Sequence, residues 1–324
     1  MSDPIKEPKF DDDRTKYFPK NVWRQLQDLA SDKDRLLLQE EASPDPITTR
    51  GHGLQLRLWK HFGEGDRVLF LHGYLDTGRS WDAVCASLSK SMRCSALDWR
   101  GHGQSEEAGR GASHHLQDHL KDLHGVVTEA QEIEDPFAMI VAHSMGANLA
   151  LMYAAAFPEH VPRLLLVDGC GPPSEAPEDQ PGRWRNLLLQ GNREHAFRPV
   201  KDANEAIERL LRFNGGLTRQ GAARMVRHAL FPSSDGFLFP FSGRLRGPTP
   251  VRFPEETWLS ACARISGKVV LLRAEFGYVP EGEPMTSRMS AMNAMLEQIA
   301  GAHHHLHVDR PQLIADAALR LLVS

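Results

Sequence analysis

The chain has 324 residues, enough for one large domain plus an insertion, with ample volume for a core. Its net charge of −4 and pI near 6.5 provide no basic face for nucleic acid or an anionic membrane. Cys85, Cys94, Cys170 and Cys262 lie far apart with no CxxC, the charged N-terminus lacks an apolar signal core, and no apolar run is long enough to span a membrane, so a reducing, cytoplasmic setting is expected.

Residues 1–45 read as a charged extension in which Trp23, Leu26 and Leu29 recur at helical spacing and predict one amphipathic helix. Residues 46–60 predict a hairpin that turns at Gly51-His52-Gly53 and places Leu54, Leu56 and Leu58 on one side. Arg67–Leu71 is a continuous apolar strand running into His72-Gly73-Tyr74. A second strand, Ser95–Asp98, ends in the glycine-rich loop Trp99-Arg100-Gly101-His102-Gly103-Gln104-Ser105. A helix is predicted over 115–131. His115 and His119 are four residues apart there but lack the intervening glutamate of a zinc-protease helix, so His114, His115, His119 and His124 are expected on a solvated face. Further strands are predicted at Phe137–Val141, Arg163–Asp168 and Lys268–Arg273, and a last helix after Pro311. Short apolar strands alternating with helices indicate a mostly parallel sheet covered on both faces. Between Gly171 and Cys262 the alternation breaks. A Pro/Glu/Asp-rich connector precedes helical candidates at 183–190, 202–213 and 218–230 and an irregular stretch at 231–241. A structureless loop of that length is disfavoured in a compact domain, so residues 171–262 are expected to form an insertion.

The most informative stretch is Ala142-His143-Ser144-Met145-Gly146-Ala147. Strand-forming residues end at a serine between small residues, and a helix-forming run follows without a spacer. Such a turn lifts the serine Oγ above the sheet edge and aims the free N–H groups of the helix start at whatever that oxygen attacks. Asp98 and Arg100 read as bracing their own turn.

These motifs, in this order, make the chain resemble the α/β-hydrolase family: His72-Gly73, Asp98-Trp99-Arg100-Gly101-His102-Gly103, the Ser144 elbow, and the His-rich loop Gly301–Arg310 before Pro311. Within it, the stretches LHGYLDTGRSW and HHHLHVDRP are most similar to the serine hydrolase-like and meta-cleavage-product hydrolase branches. The resemblance covers residues 46–170 and 263–324 and implies that residues 171–262 form a helical cap. It implies Ser144 as nucleophile and an oxyanion hole made by the backbone N–H groups of Met145 and Tyr74. It also places the base seven residues before Pro311, at His304, with His303 and His305 as fallbacks and His307 structural. The family's acid usually follows the strand at 268–273, yet no aspartate stands there. Glu275 is the only carboxylate in that loop, about two residues early. Asp168, at the end of the preceding strand, needs no register shift and is favoured over it.

A metal cluster of His303, His304, His305 and His307 is disfavoured, because neighbouring histidines on one loop rarely converge without carboxylate or cysteine partners. No cofactor or metal is expected, a small molecule is the expected substrate, and a homodimer stays open. The implied activity is hydrolysis of a small-molecule ester or related acyl bond. The alternatives are carbon–carbon bond hydrolysis by the same residues, or an idle ligand-binding protein.

Overall fold

A computed structural model of the chain describes residues 44–109, 111–133, 135–190 and 195–324; the helix expected around Trp23 lies outside the described residues. Period-2 burial organises the whole fold. In β3 (Asp66–Leu71), Leu69 and Leu71 face one apolar layer while Val68 and Phe70 face another. In β6 (Arg163–Val167), Leu164 and Leu166 divide from Leu165 and Val167 in the same way. Strands with two apolar faces must be buried on both sides.

Six further strands complete the sheet: β1 (Asp45–Arg50), β2 (Gln55–His61), β4 (Met92–Leu97), β5 (Met139–His143), β9 (Lys268–Phe276) and β10 (Met295–His303). Their order is β1-β2-β4-β3-β5-β6-β9-β10. The hairpin pairs antiparallel within itself and with β4, and every other pairing is parallel. Helices α1 (Asp82–Leu88) and α10 (Pro311–Val323) cover one face. Helices α2 (Leu116–Ile133) and α3 (Met145–Ala156) cover the other, joined by α7 (Glu255–Cys262) and α8 (Met285–Ala291).

The segment between β6 and β9 carries α4 (Gln180–Gln190), α5 (Ala203–Phe213) and α6 (Arg219–Val226), and these match the three helical candidates. The stretch expected to be irregular contains a short hairpin, β7 (Phe231–Ser233) with β8 (Gly236–Leu238). Ala203, Ile207, Ala222, Val226 and Phe239 form a small core of their own there, which Val308 of the C-terminal loop joins. β10 and α8 carry no strong signal in the sequence, since β10 is a mostly exposed edge strand.

One expectation about α2 is overturned. His119 is 1% exposed, because Trp99 and His102 from the glycine-rich loop lie across that end of the helix, with rings 5.7 and 6.1 Å away. The Arg100 guanidinium clamps the same helix by two hydrogen bonds to Asp122, at 2.5 and 2.7 Å. Asp98 braces its turn as expected, accepting from Trp59 Nε1, Gly78 N and Gln104 N.

Candidate active site

β5 stops at His143, and α3 begins two residues later at Met145. The residue between, Ser144, sits at φ 52°, ψ −115°, a left-handed conformation that costs a non-glycine residue about 1–3 kcal/mol. The surroundings enforce it. Ser144 N donates to Val167 O at 3.1 Å, and Ser144 O accepts from Asn148 N at 3.0 Å. A Cβ on Gly146 would lie 2.6 Å from the carbonyl oxygens of both Leu71 and His72. Only glycine lets α3 start so close to β3. Ala142, fully buried, tolerates its methyl where the strand runs between neighbours.

Three distant segments meet at this elbow. His304 Nε2 lies 2.9 Å from Ser144 Oγ, and His304 Nδ1 lies 2.5 Å from Asp168 Oδ2. A carboxylate only accepts, so Nδ1 carries the proton and donates it, leaving the Nε2 lone pair for the serine hydroxyl. Asp168 also accepts from Ala274 N at 3.2 Å and Tyr278 N at 2.8 Å. The end of β9 and the loop after it therefore contribute amide donors to the carboxylate instead of a carboxylate of their own. A Cβ on Gly277 would fall on the Asp168 oxygens, so this loop can wrap the acid only through glycine. Glu275 turns elsewhere and accepts from Gly301 N at 2.6 Å.

The loop after β3 lies against the nucleophile: a Cβ on Gly73 would be 3.1 Å from Ser144 Cβ. His72 braces it by donating Nδ1–H to Gly73 O at 2.7 Å and accepting Trp99 N–H at Nε2, 3.2 Å away. Burial, outweighing the pull of Asp76 and Asp98, lowers the pKa of His72, which suits a structural neutral ring. Tyr74 follows in that loop, and Met145 opens α3 directly after Ser144.

The remaining histidines of the loop separate by role. His303 packs on Phe276, with rings 5.2 Å apart. His305 and His307 turn inward, where His143 joins them. His143 donates Nε2–H to His304 O at 2.9 Å and so helps hold the backbone that carries His304. Burial, reinforced by the charges of neighbouring histidines, pushes His143 well below the usual imidazole range and His305 down to about 3. Sequence reasoning missed His143, although it adjoins Ser144 at the end of a buried strand. It also missed Tyr278, whose ring stacks on His304 at 3.9 Å. Nothing in the linear order marks either one.

Comparison with known proteins agrees with this architecture. A family profile described as the α/β hydrolase fold matches residues 66–220. A serine hydrolase-like protein of Danio rerio is 25% identical over 263 residues, covering 78% of this chain and 79% of that protein. Human serine hydrolase-like protein 2 is 25% identical over 310 residues, covering 86% and 95%. The crystal structure of a hypothetical protein from Pseudomonas aeruginosa PAO1 superposes with a TM-score of 0.78 at 26% identity, covering 87% of this chain and 99% of that one. The chain has the α/β-hydrolase fold, and serine hydrolase-like proteins are among those it resembles.

Proposed function

We propose that the protein is a serine hydrolase that cleaves a small-molecule ester or related acyl bond through an acyl-enzyme on Ser144. The observation that carries this reading is the unbroken chain Ser144 Oγ, His304 Nε2, His304 Nδ1, Asp168 Oδ2, with links of 2.9 and 2.5 Å. A serine hydroxyl is inert near neutral pH unless a positioned base takes its proton. In the first half-reaction Ser144 Oγ attacks the carbonyl carbon while its proton passes to His304 Nε2. The oxyanion is received by the N–H groups of Met145 and Tyr74, and Asp168 stabilises the imidazolium. His304 then protonates the leaving oxygen, the acyl group stays on Ser144, and water activated by the same base releases it. Residues 171–262 act as the cap over this site. The stacked Tyr278 ring shields His304 from bulk water on one side. An idle binding protein has no use for a strained serine aligned with a base and an acid.

The test is covalent labelling with a fluorophosphonate probe, read by mass spectrometry, alongside hydrolysis of p-nitrophenyl acyl esters. Label on Ser144, with loss of both label and turnover in Ser144→Ala, is the expected result. A folded wild-type chain that neither labels nor turns over would refute the reading.

A further inference from the structure

Behind the Ser144–His304 pair stands a second constellation. His143 ends β5, whereas His305 and His307 lie at α9 (Leu306–Asp309), immediately after His304. All three are buried, and one ring nitrogen from each lies within 4.8 Å of those of the other two. In every ring Nε2–H is anchored: His143 to His304 O at 2.9 Å, His305 to Asn214 Oδ1 at 2.9 Å, His307 to Asp76 Oδ2 at 3.0 Å. These acceptors fix the tautomer and leave each Nδ1 as a bare lone pair. None of the three Nδ1 atoms has a hydrogen-bond partner among the described residues. A single water brings two hydrogens and cannot satisfy three lone pairs.

Imidazoles anchored to an oxygen through one nitrogen, with the lone pair of the other left free, are what a metal site requires. We propose that His143, His305 and His307 bind a late first-row divalent cation, zinc being the one to test, and that the bound ion restrains hydrolysis. Three neutral imidazoles without carboxylates favour zinc, nickel or copper over magnesium or calcium. Tetrahedral zinc holds its nitrogens about 3.4 Å apart, so modest ring rotation closes the site. The restraint follows from position. The His143 and His304 rings are 4.6 Å apart and His143 Nε2–H holds the His304 carbonyl, so the ring rotation that closes the site shifts His304 away from Ser144. The expectation of no metal failed to weigh His143, because the third ligand comes from β5 and not from the His-rich loop.

The test is calorimetric titration of the chelator-treated full chain with zinc chloride, together with cobalt(II) visible absorption on the unaltered protein. One ion per chain and tetrahedral cobalt bands are expected. His305→Gln and His307→Gln keep an N–H for Asn214 and Asp76 but remove the imidazole, and each should weaken zinc binding at least about tenfold. Saturating zinc should lower ester kcat about tenfold or more in the wild type, and far less in either variant. No stoichiometric ion, or equal binding by both variants, overturns the site. Stoichiometric binding with unchanged turnover overturns the restraint. Binding is independent of the proposed hydrolysis, whereas the rate measurement rests on it. A chain that binds zinc but never labels with fluorophosphonate therefore refutes the hydrolase reading and leaves the site standing.

Discussion

Replacing Asp168 by asparagine separates charge from shape at the acid of the site. In the native arrangement Oδ2 accepts from His304 Nδ1 and Tyr278 N, while Oδ1 accepts from Ala274 N. An asparagine that keeps its oxygen at Oδ2 turns its amide donor onto the Ala274 N–H. The opposite flip turns the donor onto two others. The better orientation leaves one buried backbone donor unpaired, about 1–3 kcal/mol of stability. Its kinetic effect is larger. A carboxylate 2.5 Å from the imidazolium contributes about 6–7 kcal/mol of attraction at an effective dielectric of 20, most of it absent in the neutral amide. A loss of about 4–5 kcal/mol from the transition state corresponds to a fall in kcat of about 10³–10⁴. Steady-state hydrolysis of a p-nitrophenyl ester by the folded variant reads this directly, with Glu275→Gln as comparison. That variant should stay within about threefold, since Glu275 accepts from the Gly301 amide and not from His304. An Asp168→Asn enzyme within tenfold of wild type, or a larger loss in Glu275→Gln, would refute the reasoning.

Three further outcomes follow from the same geometry. His304→Ala should lose at least about 10³ in kcat/KM, whereas His303→Ala, whose ring packs on Phe276 and Gly216, should stay within about threefold; the same ester assay ranks them. Gly146→Ala should destabilise the fold by upward of about 2 kcal/mol despite alanine's better helix propensity, because its methyl meets the backbone oxygens of Leu71 and His72; denaturant unfolding measures it, and an equally stable variant would contradict the close packing. Burial, with the charges of His114 and Arg100, lowers His119 to about 3, below its unfolded value near 6.5. The unfolded chain therefore binds the extra proton between those pH values. The His119 contribution is complete above pH 6.5 and shrinks on acidification, by about 5 kcal/mol in all at pH 3. In thermal melts from pH 7 to 4, His119→Leu should lose less stability than wild type, and parallel curves would disprove this.

Much of the architecture is legible locally. The run from Phe137 to Val141 ending in Ser144-Met145-Gly146 specifies a strand, a sharp turn and a helix within a dozen residues, because strand propensity, small side chains and helix propensity follow one another along the chain. The same holds for the loops after β3 and β4. His304 was legible only through the family resemblance, which places the base seven residues before Pro311. The acid was harder to read. Asp168 and Glu275 both stand near strand ends at the correct edge of the sheet, and only the path of the loop after β9 distinguishes them. That loop passes close to Asp168 at Gly277, lays the Tyr278 amide on it and leaves Glu275 to the Gly301 backbone.

The sequence by itself determined the parallel sheet and the elbow that carries Ser144, because each depends on residues adjacent in the chain. Tertiary structure alone decided which carboxylate faces His304, that His119 is buried beneath Trp99, and that His143 joins His305 and His307. Those relations join strand ends more than a hundred residues apart, or a helix to a separate loop. They are set by sheet order and loop path, which local propensity does not encode.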